Sequence, residues 1–379
     1  MGLILSKAPP PCPDLPPDLA GRILGKAPSP WLDLPPDLAG LILGRLTSHA
    51  DHLTFGAVCR SWRLAVRHQL PTRGATPWLN LGPGAYQSLD GNVLCFGRCC
   101  HGSSGGWILC CHDNIHGGGG WCLYLRNPFH ASDALIEILW HCKEPSKIVM
   151  CSSFVAILDG GTVMIAPLWP ADLSGGRLLT GDDYVDMASY RGKIFTVTHS
   201  GELFSHDLAR HRCKHVMKMS PSVQPVNNTV CHLVVSADKK KLLMVRWSRK
   251  AMCVVVDDQR RAMNLQVFEA CLPKVQWLEV KDLGGQVLFL STSCCRAFGS
   301  PEQCHPRFPQ GNCVYILGVD WHLKRTVAGA SSCKCHECRH VSIPSYCVYD
   351  MNTCTVSLVS LGGGHQLESA RSEWFFPCE

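Results

Sequence analysis

Asp33-Leu-Pro-Pro-Asp-Leu-Ala-Gly-Leu-Ile-Leu-Gly-Arg-Leu46, followed by Val58-Cys-Arg-Ser-Trp-Arg63, decides how the N-terminal part of this chain folds. The pattern is helical. Pro35 and Pro36 suit a first turn, where the missing N–H costs nothing, and Asp37 complements the positive end of the helix dipole. Leu38, Ile42 and Leu46 follow at i, i+4 and i+8 and predict one apolar face. Ser48 with Asp51 fits a capping box that opens a second helix, carrying Leu53, Phe55 and Val58. Ser61 is placed to cap a third helix with Trp62, Ala65, Val66 and Gln69 on one side, and Pro71 ends it. Three short helices in so few residues bury little surface, and such a unit usually wants a partner.

The stretch is preceded by a partial copy of itself. Asp14-Leu-Pro-Pro-Asp-Leu-Ala-Gly21 returns as Asp33-Leu-Pro-Pro-Asp-Leu-Ala-Gly40, and Lys7-Ala-Pro9 returns as Lys26-Ala-Pro28. A unit repeated barely twice is not a solenoid, which needs about three units to bury a core. Only the second copy runs on into further helical sequence; Pro28 and Pro30 stop the first. Residues 1–30 therefore read as a Pro-rich extension, ahead of a helical unit at 31–70.

Beyond residue 77 the apolar period changes from 3.6 to 2. β-prone runs recur between turn signals: Trp107–His112, Trp121–Arg126, Phe154–Leu158, Thr162–Ile165, Lys193–Thr198, Glu202–His206, His232–Val235, Lys241–Arg246, Met252–Val256, Gln286–Leu290, Val314–Leu317, Tyr346–Asp350 and Thr355–Val359. Asp159-Gly-Gly161, His199-Ser-Gly201 and Ala237-Asp-Lys239 read as tight turns between them. Charged residues are only 17%, against 34 Gly and 25 Pro, which suits many short strands better than long exposed helices. Strands about ten residues apart over this length predict a large all-β body spanning 78–377. A propeller at roughly 40–50 residues per blade gives about six or seven blades.

The two parts carry a resemblance. The string at 34–46, together with Val58-Cys-Arg-x-Trp-Arg63, resembles an F-box, a small all-α three-helix unit. The resemblance implies that Leu34, Pro35, Leu38, Ile42, Val58, Cys59 and Trp62 form a surface for the Skp-type linker of cullin-RING ubiquitin ligases, with Leu46, Leu53 and Phe55 left to internal packing. Trp78-Leu-Asn-Leu81, Gly105-Gly-Trp-Ile-Leu109, Leu125-Arg-Asn-Pro128, Asp186–Phe195, Gly201-Glu-Leu203, Leu288-Phe-Leu290, Gly311-Asn-Cys-Val-Tyr315 and the closing Trp374-Phe-Phe-Pro377 occur in order. They look like the plant F-box family with a C-terminal propeller of the KIB type. The duplicated start, the Gly-rich loop His116–Gly120 and the Cys-rich stretch 331–340 depart from that pattern.

Other features are weighed against plainer readings. The +6 net charge is spread thinly, and its one basic run, Lys239-Lys-Lys241, falls on a turn, so no nucleic-acid partner is expected. No apolar stretch approaches the ~18 residues of a membrane span. The leading apolar run, Leu3-Ile-Leu5, is too short for a secretory signal. The 24 cysteines are then expected to be reduced thiols of a cytoplasmic or nuclear protein, many acting as small buried hydrophobes. Gly2 and Ser6 match an N-myristoylation signal, a pattern short enough to arise by chance. Cys335 and Cys338 have zinc-knuckle spacing, but the second ligand pair is missing; Cys304 and His305 are the nearest candidates, and no metal or other cofactor is expected. His116–Gly120 lacks the Gly-Lys-Ser/Thr of a phosphate loop. Trp107 and Trp121 read as core rather than as ligand-stacking residues. No catalytic Ser-His-Asp or Cys-His set can be picked from 18 His and 24 Cys, so no catalytic residue is assigned and the chain is not expected to be an enzyme. Two functions remain open: a substrate-recognition subunit of a Skp-cullin-F-box ligase, with linker, cullin and RING subunit and a target protein as partners, or a protein-binding scaffold with a vestigial F-box.

Overall fold

The structure is a computed structural model. It describes residues 34–45, 55 and 58–69, and within 77–376 all but the segments 83–84, 89–92, 96–99, 114–120, 128–134, 143–144, 152–153, 168–176, 180–182, 208–211, 220–228, 249–260, 263, 301–307, 309, 318–344 and 361–372. The chain divides into two units, 1–71 and 72–379. Several expectations lie outside the described residues: the extension 1–30 with Gly2, the capping box at Ser48, Leu46 and Leu53, the loop His116–Gly120, the strand Met252–Val256, and the cysteine and histidine pairs at 304–305 and 333–340.

In the first unit the described residues hold two helices, α1 (Pro36–Arg45) and α2 (Arg60–Gln69). The Ala39 N–H donates to Pro35 O at 3.0 Å, so the first helical bond forms over the proline pair. Ala39 and Leu43, at i and i+4, turn inward with Phe55, and Leu34 and Trp62 pack partly against them. The Phe55 and Trp62 rings stack at 4.2 Å. The cap of α2 differs from expectation. Helix begins at Arg60, one residue before Ser61, and Cys59 stands at the N-cap with its Sγ accepting the Trp62 N–H at 3.5 Å.

The second unit is a set of antiparallel sheets. The first contains β1 (Trp78–Gly82), β2 (Ala85–Ser88) and β3 (Val93–Cys95); the second β4 (Cys100–Ser104), β5 (Trp107–Asp113), β6 (Trp121–Arg126) and β7 (Leu135–Cys142). The third runs through β8 (Pro145–Met150), β9 (Phe154–Asp159), β10 (Thr162–Pro167) and β11 (Arg177–Leu179), and the fourth through β12 (Tyr184–Tyr190), β13 (Lys193–Thr198), β14 (Leu203–Asp207) and β15 (Arg212–Met217). The fifth holds β16 (Thr229–Val235), β17 (Leu242–Ser248), β19 (Leu265–Cys271) and β20 (Gln276–Val280), while β18 (Arg261–Ala262) crosses to the edge of the sixth. That sixth sheet runs β22 (Cys295–Phe298), β21 (Val287–Leu290), β23 (Cys313–Ile316), β24 (Ser345–Asp350), β25 (Thr355–Ser360), with β21 and β23 parallel. The last strand, β26 (Glu373–Phe375), returns to the first sheet and pairs with β1, Leu79 opposite Trp374.

Alternation along each strand explains how these sheets pack. On β9, Val155 and Ile157 join Leu109, Leu123 and Leu125 of the second sheet, whereas Ala156 and Leu158 join Tyr184 and Met187 of the fourth. The same division recurs around the molecule. Leu203 and Met217 meet Leu233 and Met244; Val245 and Trp247 meet Leu288 and Val314; Phe289 and Tyr315 meet Leu79 and Trp374; Trp78 and Phe375 meet Ile108 and Tyr124. Each sheet thus buries both faces, and apolar layers link the six sheets of the described residues into a closed ring, with β26 tying the last strand of this unit to its first. Edge strands of successive sheets adjoin: β4 lies beside β8, β8 beside β12, β12 beside β16, and β16 beside β22.

Two glycine positions show the backbone demands. Gly160 and Gly161 both have positive φ and close the β9–β10 turn in two residues, with Asp159 paired to Thr162. At Gly311 a Cβ would lie 2.7 Å from the Gly285 carbonyl oxygen, so only glycine lets those backbones approach. Asn312 follows with φ 59°, and its Oδ1 accepts the Leu283 N–H at 2.7 Å.

Candidate functional site

Two places concentrate side chains that ordinary packing does not explain. The first is the outer face of the helical unit. With Ala39 and Leu43 turned inward, the helical period leaves Leu38, Leu41 and Ile42 outside, Leu38 at 48% and Leu41 at 66% exposure. Val58 and Leu64 are exposed beyond them. Of the seven residues expected to dock a partner, Pro35, Leu38, Ile42 and Val58 are exposed, whereas Leu34, Cys59 and Trp62 are half-buried. Leu41 and Leu64 were not among the seven; a period-3.6 reading centred on Leu38 and Ile42 covers Leu41 as the neighbour at i+3. The Cys59 thiol is held below its ordinary range by its bond with the Ser61 hydroxyl and by the Trp62 N–H.

The second place is the inner strands of the propeller. Lys147 on β8, Asp186 on β12, His232 on β16 and Cys295 on β22 converge, one from each of four successive sheets. Lys147 and Asp186 are almost fully buried, and their Nζ and Oδ1 lie 2.5 Å apart. Asp186 Oδ1 also accepts the Met187 N–H at 2.8 Å, and Oδ2 accepts the Leu233 N–H at 2.7 Å. His232 Nδ1 is 3.7 Å from Asp186 Oδ2 and 3.8 Å from Cys295 Sγ, and that sulfur is 3.9 Å from Oδ2 and 3.5 Å from Lys147 Nζ.

The electrostatics follow from these distances. Burial alone drives the Asp186 carboxyl upward, but the Lys147 ammonium and then His232 outweigh it and hold the group below the usual carboxylate range. Burial pulls Lys147 down and Asp186 more than restores it. His232 is likewise pulled down by burial and pushed back up by Asp186 and Cys295, to about 9. A buried carboxylate that accepts two backbone N–H groups and the Lys147 ammonium, with the His232 ring 3.7 Å away, joins three sheets into one electrostatic unit. Such groups rarely survive burial unless paired in this way.

The cluster is not a catalytic triad. In a triad the nucleophile and the carboxylate address opposite nitrogens of the imidazole, so that a proton can pass through the ring. Here Cys295 and Asp186 both face Nδ1. Sequence reasoning missed the cluster. Part of its signal was present: Lys147 and Asp186 are ionisable residues inside apolar β-runs and His232 opens one of the predicted strands, whereas Cys295 lies among polar neighbours.

Elsewhere the expectations can be placed directly. Trp107 is half-buried and packs against the layer between the second and third sheets, and Lys239, Lys240 and Lys241 are exposed on the β16–β17 connection. No described helix is long and apolar enough to cross a membrane.

The arrangement is that of a small helical unit and a β-propeller, and comparison with known proteins agrees. Residues 88–350 match the model of the KIB1-4 beta-propeller, and residues 31–70 match that of an F-box-like domain. The chain belongs to the KIB1-4 beta-propeller family, with an F-box-like domain in front. No curated protein matches the chain significantly. Among solved structures, the N-terminal domain of Nup159 is similar at 8% identity over 73% of this chain and 84% of that one, with a TM-score of 0.35. The S. cerevisiae Dbp5 complex with Nup159 and Gle1 gives 8%, 68%, 74% and 0.33, and apo AztD from Citrobacter koseri gives 13%, 52%, 52% and 0.29. These superpositions are loose.

Proposed function

We propose that the protein is the substrate-recognition subunit of a Skp-cullin-F-box ubiquitin ligase. The helical unit docks on the Skp-type linker, and through it on cullin and the RING subunit, while the propeller binds the target protein. The observation that carries this reading is the set Leu38, Leu41, Ile42 and Val58, apolar and exposed on an F-box-like unit whose other face is already packed around Ala39, Leu43 and Phe55. Burying each such side chain is worth about 1.5–3 kcal/mol. Because each still exposes only about half of its surface, the four together supply about 3–6 kcal/mol toward the roughly 8 kcal/mol of a micromolar complex, before the costs of association. The chain needs no catalytic group for this role. Holding a target near an activated ubiquitin raises its effective concentration, and other subunits perform the transfer.

The test must spare the fold. Leu34 and Trp62 pack inward, so substitutions there would confound docking with unfolding. Leu38→Asp with Ile42→Asp touches only the exposed face. We expect this pair to weaken linker binding by at least about a hundredfold in a titration of purified proteins, since the lost apolar contact and the cost of burying two carboxylates together amount to about 3 kcal/mol or more. Undiminished binding would overturn the docking assignment. Linker binding without recruitment of cullin would favour the scaffold over the ligase.

A further inference from the structure

We propose that Asp186, His232 and Cys295 form a binding site for one divalent transition-metal ion of the zinc type, held between the inner strands of three successive sheets. The three donor atoms, Oδ2, Nδ1 and Sγ, lie 3.7, 3.8 and 3.9 Å from one another. A point equidistant from three atoms so spaced is about 2.2 Å from each, within the range of zinc bonds to carboxylate oxygen, imidazole nitrogen and thiolate sulfur. The donor set is borderline-soft, which suits zinc, cobalt or copper and disfavours calcium and magnesium.

The surroundings orient the donors toward that point. Asp186 Oδ1 is engaged by Lys147 and by the Met187 N–H, and among the described residues Oδ2 accepts only the Leu233 N–H at hydrogen-bond distance, with His232 and Cys295 next to it at 3.7 and 3.9 Å. The His232 ring stacks near Trp247 at 6.5 Å and 21°, which limits its rotation. Convergence of carboxylate and sulfur on one imidazole nitrogen defeats a proton relay, yet it is what coordination requires. Lys147 Nζ, 3.5 Å from Sγ, is placed to hydrogen-bond a coordinated thiolate. The thiol proton and the proton on His232 Nδ1 both leave on binding, and the two anionic ligands then match the ion's two charges. Cys295 is only half-buried, which gives the ion a way in. Three protein ligands also leave a coordination position for water or a donor atom of a bound partner.

Cobalt(II) is the probe, because its thiolate bond absorbs in the near ultraviolet and zinc's does not. The full chain, carrying Cys335→Ser and Cys338→Ser to silence the other soft cluster, is stripped with chelator and titrated. The expected result is one equivalent bound with a thiolate-to-cobalt band. Cys295→Ser abolishes that band, and His232→Gln weakens binding at least about tenfold. No equivalent bound at micromolar cobalt, or a band unchanged in Cys295→Ser, overturns the site and leaves the cluster a polar staple. Should Cys295→Ser not fold, X-ray absorption on the zinc-loaded Cys335→Ser, Cys338→Ser protein decides. One sulfur with nitrogen and oxygen neighbours supports the site; two or more sulfurs overturn it.

Discussion

The helical unit and the propeller interior break the usual placement of residue types in opposite directions. In the first, Leu38, Leu41, Ile42 and Val58 stay outside although they are apolar; in the second, Lys147, Asp186 and His232 go inside although they are ionisable. Both arrangements cost free energy in the isolated chain, and they differ in what offsets it. The buried charges are satisfied internally, by one another and by backbone N–H groups. The exposed apolar face has no such internal remedy among the described residues; in the function proposed here a partner covers it. An internally satisfied group therefore reports on stability when it is removed, whereas a group awaiting a partner reports on binding.

The largest expected effect comes from breaking the internal arrangement. Asp186→Ala leaves the Lys147 ammonium and His232 without their carboxylate and orphans the Met187 and Leu233 N–H groups. We expect it to lower propeller stability by about 3–5 kcal/mol, read as the shift of the urea midpoint at unchanged m-value. Replacing both partners, as in Asp186→Leu with Lys147→Met, should recover much of that loss, because no buried charge is then left unpaired. A single substitution within 1 kcal/mol of wild type would show that the cluster is wetter than its burial implies.

How far this was legible in the sequence depends on the range of the interactions involved. The strands were readable because period-2 alternation and Gly turns are local: Trp121–Arg126 and Lys193–Thr198 form as read, and Gly160-Gly161 closes its turn. The exposed apolar face was half readable. Leu38 and Ile42 share a face by spacing alone, but which face Phe55 and Trp62 cover is tertiary, so the inward role of Ala39 and Leu43 was not foreseen. Likewise Cys59 rather than Ser61 caps α2, because two residues in the same turn both offered a suitable atom. The axial cluster was unreadable as a cluster. Lys147 and Cys295 are 148 residues apart, and only closing the ring makes them neighbours. A search for ionisable residues in the middle of apolar runs would have found Lys147, Asp186 and His232 but not Cys295, whose neighbours are polar.

The second effect, of intermediate size, separates two buried histidines. His206 is driven down to about 4 by burial; its Nε2 meets Thr196 Oγ1, and its Nδ1 finds no partner among the described residues. Its folded value lies below its unfolded one, so below pH 6.5 the unfolded chain binds a proton that the folded one refuses, and stability falls as pH drops from 6.5 toward 4. His232 has the opposite sign. Raised to about 9, it contributes fully below 6.5 and loses that contribution as pH rises from 6.5 through 9. Each limb is worth up to about 1.4 kcal/mol per pH unit. With chelator present, His206→Gln should flatten the acid limb of the stability profile and His232→Gln the alkaline one. Parallel profiles for wild type and both variants would contradict the assignment.

The smallest effect on stability tests the outer face, and the contrast lies within one helix. Leu43 is buried and Leu41, two positions earlier, is 66% exposed. Leu43→Ala removes a core side chain and should cost about 2 kcal/mol or more, enough to unfold so small a unit. Leu41→Ser removes only surface that water already covers and should stay within about 0.5 kcal/mol of wild type by thermal unfolding. Its cost should appear in the complex instead, as a loss of about tenfold in affinity for the Skp-type linker, the equivalent of about 1.4 kcal/mol. If Leu41→Ser destabilised the unit as Leu43→Ala does, the face would be core after all. If it left both stability and affinity unchanged, the partner would contact Leu38, Ile42 and Val58 alone, and the docking surface would be narrower than exposure suggests.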